Sequence, residues 1–209
     1  MASSDAIFEA LQHPEKYYDE PQAAVEHGRG SPEALPLARA ALVGFAFESN
    51  DFGPEGWYSL FELDPVGASI AAAALALAGG CRRNIAFEAL GDWNLPLAAA
   101  CAPMIIMKAD LRLMRPALDV LAAYDLGSAQ ELARSVDSRE SLTIEDTRLR
   151  ILRMPTVKAV PLPAIPDEVT SLLGELSHPA RGRHEIESRL GDLSTATIPE
   201  LVALMHALM

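Results

Sequence analysis

Glu48, Asp51, Glu55, Glu62 and Asp64 surround the Gly53-Pro54 turn. Carboxylates gathered in this way could hold a hard cation such as calcium or magnesium, which prefers oxygen ligands. The register is wrong for an EF-hand, because the closely spaced oxygen ligands, the glycine at a fixed turn position and the terminal glutamate are missing. These acids therefore read as solvated loop groups. The histidines are His13, His27, His178, His184 and His206, and none has a second ligand at zincin spacing: His184-Glu185 is not followed by the second histidine that such a site needs.

Nucleophilic chemistry is no better marked. There is no Gly-x-Ser-x-Gly elbow, and of the two cysteines only Cys81, beside Arg82 and Arg83, has neighbouring positive charge that would lower a thiol pKa. Cys101 lies in an apolar run and reads as a small buried hydrophobe. Gly28-Arg29-Gly30-Ser31 could offer backbone donors to an anion, but it is neither a P-loop nor a dinucleotide fingerprint, so a turn is the simpler reading. No catalytic, cofactor-binding or metal-ligating residue is assigned on this basis, and no cofactor is expected.

Charge is more informative. The 209 residues carry a formal charge of -12, and residues 1–64 hold 12 of the 29 acidic residues but only 3 of the 17 basic ones. Such a balance argues against nucleic-acid binding, which needs clustered lysine and arginine. It favours a protein partner with a basic surface. The expected function is therefore that of a non-catalytic interaction protein, adaptor-, chaperone- or inhibitor-like, using the acidic region at 15–64. Trp57, Tyr58, Asp51 and Glu55 are the expected contact residues, with partial core burial as the alternative for the two aromatics. The second reading is a small helical enzyme or cofactor binder with a site assembled from separate helices, for which Glu48, Asp51, Cys81, His184 and His206 are the groups to locate. The basic segment Arg148, Arg150, Arg153 and Lys158 is expected to make internal or protein-facing contacts, for example with the acidic N-terminal third.

The elements that must position these groups are helical. Alanine and leucine dominate the apolar residues, aromatics make up 6% of the chain, and helix-start signals recur. The expected fold is an all-α, irregular multi-helix bundle, with one short extended element near 148–160 where basic and apolar residues alternate. Ser31-Pro32-Glu33 predicts a helix to about Phe47, and Asp64-Pro65 predicts an alanine-rich central helix to Ala78. Ser59 with Glu62, Ser128 with Glu131, Thr143 with Asp146, and Thr197 with Glu200 have capping-box spacing. Pro103 is expected to kink or split a helix begun near Asn94, and Gly28 to Ser31 to form a loop.

One domain over 1–209 is the default at this length. The proline-rich stretch 155–166 is the best linker and admits a subdivision into a main bundle, 1–154, and a C-terminal helical unit, 167–209. The longest apolar runs, of about 13 residues, fall short of the ~20 that a spanning helix needs. No membrane association, a soluble cytoplasmic chain and homo-oligomerisation left open complete the expectations.

Overall fold

The computed structural model describes residues 3–48, 52–79, 82–108, 110–136, 141–177 and 193–209. The chain is all-α: among the described residues there are twelve α-helices and no strand. They are α1 (Ser4–Gln12), α2 (Pro21–Gly30), α3 (Leu35–Phe47), α4 (Phe52–Leu63), α5 (Pro65–Ala78), α6 (Arg83–Trp93), α7 (Leu95–Met107), α8 (Leu111–Tyr124), α9 (Leu126–Ser135), α10 (Leu142–Arg153), α11 (Asp167–Ser177) and α12 (Ile198–Leu208). Two compact units result, one from residues 1–89 and 168–209, the other from 90–167. The residues after the proline-rich stretch thus group with the N-terminal helices.

In the first unit the hub is α3, which packs on α1, α2, α4 and α12. Its sequence, Leu-Pro-Leu-Ala-Arg-Ala-Ala-Leu-Val-Gly-Phe-Ala-Phe, explains how one helix can serve so many neighbours. Alanine and glycine let backbones come close, while Leu42, Val43 and Phe45 fill the spaces between them and are fully buried. A Cβ placed on Gly44 would lie 2.6 Å from the Leu11 carbonyl oxygen of α1, and one on Gly56 of α4 would lie 2.5 Å from the Ala46 nitrogen. Gly28 plays the same part for α2, where an added Cβ would stand 2.9 Å from the Ala38 Cβ. The expected Gly28–Ser31 loop is therefore the end of a helix, because Gly28 is held there by packing and not by turn chemistry. The alanine-rich α5 starts where Asp64 predicts, its carboxylate accepting from the Gly67 N–H at 2.9 Å, and stops at Gly79, whose φ of +93° suits glycine. It is buried but packs on α4 and α12, so the central position belongs to α3.

The second unit is built on the α7–α8 pair, with α9 and α10 laid against α8 and each other. Pro103 and Pro116 both lie inside helices. Pro103 does not split its helix: α7 continues to Met107, and the break falls where Asp110 caps α8 by accepting from the Arg112 N–H at 3.1 Å. Residues 148–153, expected to be extended, complete α10 instead. Only from Met154 does the backbone open out (φ -69°, ψ 155°), and residues 155–166 then have neither helix nor strand. Four prolines in that stretch remove the donors that either ladder would need.

The close approaches set a direct test. Gly56→Val should destabilise the fold by about 1–3 kcal/mol, since the new side chain meets backbone that cannot yield. Gly174→Ala in α11, where an added Cβ meets nothing within 4 Å, should raise stability by up to ~1 kcal/mol. Urea unfolding midpoints of the two variants against the parent read both effects.

Candidate functional site

The residues expected to contact a partner divide along one helix. In α4 the positions that face the core are Gly53, Gly56, Trp57 and Leu60, and the opposite face carries Glu55, Tyr58 and Glu62. The split follows from 3.6-residue periodicity: 53, 56, 57 and 60 form one stripe, 55, 58 and 62 another. Trp57 is consequently fully buried and cannot touch a partner, which corrects its assignment as a contact residue. Its indole N–H has no acceptor among the described residues, a burial that costs about 1–3 kcal/mol unless something outside them accepts it. Tyr58 is 37% exposed and Glu55 is exposed, so both lie at the surface. Asp51 lies outside the described residues.

At the start of α5, just after the Asp64 cap, Val66 is 69% exposed. The exposed α4 face adjoins α2, whose Arg29 reaches across to accept no proton but donate two contacts: Nη2 to the Glu62 carbonyl at 2.7 Å and Nη1 toward the Glu62 carboxylate at 3.5 Å. The outward groups of this acidic corner are Glu55, Tyr58 and Glu62 on α4, Val66 at the start of α5 and Glu26 on α2. Farther along the same unit, Glu9 accepts from Lys16 Nζ at 2.7 Å and from the Tyr17 hydroxyl at 2.9 Å. These donors hold its carboxyl below the usual range, so it stays charged to lower pH than a free glutamate. Charge is strongly segregated between the units: the first has 19 acidic and 8 basic residues, the second 10 and 9.

No family model, curated protein or solved structure matches this chain. Its chemistry must therefore be read from its own side chains.

Of the groups named for an enzyme-like site, Glu48 and His206 are the two among the described residues. Glu48 follows the end of α3 and His206 lies in the last turn of α12, half-buried with its pKa lowered by that burial, while Asp51, Cys81 and His184 lie outside the described residues. Among the described residues no group of three or more His, Cys, Asp or Glu side chains could hold a metal ion. Cys101 is buried in α7, and burial pushes its thiol pKa up to about 12, so it is a thiol and not a thiolate at neutral pH. No described helix is long and apolar enough to cross a membrane.

A second surface was only half visible as a linker. Residues 154–160 are strapped onto α9 by two side chains. Gln130, 2% exposed, donates from Nε2 toward the carbonyls of Ile151, Met154 and Pro155 at 3.1–3.3 Å and accepts from the Val157 N–H at 3.3 Å. Asp125 accepts from the Ser128 N–H at 2.9 Å, capping α9, and from the Val160 N–H at 3.1 Å. Gly127 lets Ala159 lie against the helix, since a Cβ there would fall 2.4 Å from the Ala159 nitrogen. Outward from this strap stand Met154, Val157 and Val160, 39–52% exposed, flanked by exposed Arg153 and Lys158. The other two members of the basic segment have partners within the second unit: Arg148 pairs with Glu145 and donates to the Ala133 carbonyl at 2.9 Å, and Arg150 pairs with Asp119.

Hydrogen bonds from Ser128, then the backbone N–H groups of Ser128, Val160 and Gly127, lower the Asp125 pKa below its ordinary value of 3.8. A depressed carboxyl pKa contributes stability that is present above the unfolded value and lost as pH falls through the folded one. Asp125→Asn should thus be less stable than the parent at neutral pH, and the difference should shrink from about pH 4 downward. Parallel urea titrations at neutral and acid pH check it; a difference independent of pH would contradict the assigned role of the charge.

Proposed function

We propose that this protein is a non-catalytic protein-interaction protein whose acidic α4–α5 corner docks a partner with a basic surface. The observation that carries the reading is the arrangement of α4. One face is fixed in the core by Gly53, Gly56, Trp57 and Leu60, and the other presents an exposed carboxylate and a partly exposed tyrosine on the unit that holds most of the negative charge. A rigid helix face is a suitable base for recognition, because its side chains lose little freedom on binding. Tyrosine adds apolar contact area with a polar tip, and carboxylates around it would steer a cationic partner and select against anionic ones.

The reading has a site-specific consequence, separable from the general attraction of an acidic protein for polycations. In fluorescence anisotropy at low ionic strength a labelled oligolysine peptide should bind, and added salt should weaken it. Tyr58→Ala and Glu55→Gln should each reduce affinity several-fold, on the order of 1 kcal/mol. Glu175→Gln, which removes the same charge from an exposed position on α11, should leave it nearly unchanged. Equal effects of all three substitutions would reduce the interaction to net charge and contradict a defined corner.

A further inference from the structure

The strap in the second unit has the chemistry that the acidic corner lacks. Its three outward apolar residues, Met154, Val157 and Val160, recur every third position along a proline-rich extended segment. An extended chain of the polyproline type repeats every three residues, so this spacing places them on one side. Met154 has φ -69° and ψ 155°, within that conformation. The segment is also pre-ordered: Gln130 and Asp125 hold the Val157 and Val160 N–H groups, and Gly127 seats Ala159. Ordering an extended segment is a cost that a flexible ligand meets on binding. Here the fold has already met it. Lys158 and Arg153 stand exposed beside the apolar row.

We propose that the partner of the acidic corner is a second copy of this chain, with Met154, Val157, Val160, Lys158 and Arg153 of one copy seated against Glu55, Tyr58 and Val66 of the next. The proposal rests on the reading of the corner as a site for a basic surface, and adds the identity of that surface. It is favoured by complementarity in both charge and polarity. The corner is acidic, with Tyr58 exposed on α4 and Val66 at the start of α5, and the strap is basic, with an apolar row of its own. The charge imbalance of the first unit, 19 acidic against 8 basic residues, leaves negative potential for a basic surface to neutralise, and the near-balanced second unit can approach it without strong repulsion. Two different patches meet in such a contact, so the association is head-to-tail and extends with concentration unless a ring closes.

Sedimentation velocity of the full chain over a concentration series tests this at low and at raised salt. The parent should self-associate at low salt and dissociate as salt rises. Lys158→Glu and Glu55→Lys should each weaken self-association about tenfold. Mixing these two variants should restore association up to a one-to-one pair, since one keeps the intact corner and the other the intact strap. Val157→Ser with Val160→Ser should also weaken it, and circular dichroism identifies any variant that is not folded; the exposed Lys158→Glu change keeps the test valid if the valine variant fails. A parent that is monomeric throughout, or association that survives both charge variants, overturns the proposal. If the oligolysine peptide still binds in a Tyr58-dependent way to a monomeric parent, the corner stands and only the second copy is excluded. Co-sedimentation of the parent with phosphatidylserine vesicles that is lost in Lys158→Glu, without self-association, assigns the strap to an anionic lipid surface and likewise overturns the proposal.

Discussion

The closeness with which other backbones approach α3 is the constraint on which the first unit depends. Gly44 admits the carbonyl end of α1, Ala38 receives Gly28 of α2, and Ala46 receives Gly56 of α4. At each place the contact is made by the absence of a side chain. Apolar burial then comes from residues beside them or one turn away, such as Leu42, Phe45, Trp57 and Leu60, all fully buried. This geometry also fixes the rotation of α4. With Gly53 and Gly56 against α3, Trp57 must enter the core, and Glu55 and Tyr58 must face outward. The candidate site is therefore a by-product of helix packing: the same two glycines that seat the helix determine which of its side chains a partner can meet.

That link explains what could be read from the sequence and what could not. The all-α class followed from composition and from caps whose chemistry is local, as at Asp64 and at Thr197, whose N–H and hydroxyl both donate to the Glu200 carboxylate. Local signals failed where a stronger local partner stood nearby. Ser128 and Thr143 do not cap their helices, because Asp125 and Ser141 do so a few residues earlier. Ser59 lies within α4, where apolar burial on both sides outweighs a start signal. Gly28, expected in a loop, lies inside α2, since packing against Ala38 decides its use. Trp57 and Tyr58 were indistinguishable as neighbours in sequence, and only the phase of α4 separates them.

The strap illustrates a different limit. Four prolines marked 155–166 as irregular, which holds, but nothing in the order of residues announced that Gln130 and Asp125 would bind it. Gln130 lies in an amphipathic helix that Asp125 caps, and the groups of residues 154–160 that they bind lie 24–35 positions later in the chain. A buried glutamine that satisfies carbonyls and an N–H of an extended segment replaces the ladder that prolines forbid. The segment thus stays ordered without being regular. Fixed in this way, its apolar row remains turned outward, where a chain of the same composition left free would collapse upon itself or upon any apolar surface.

If α3 is the element against which the first unit is assembled, its backbone can open only when the helices around it are lost. Native-state hydrogen exchange reads this directly. The amides of residues 40–45 should exchange with the free energy of global unfolding, and those of α1 and α2 at or below it. Exchange of residues 40–45 through an opening weaker than that of α1 or α2 would contradict the account.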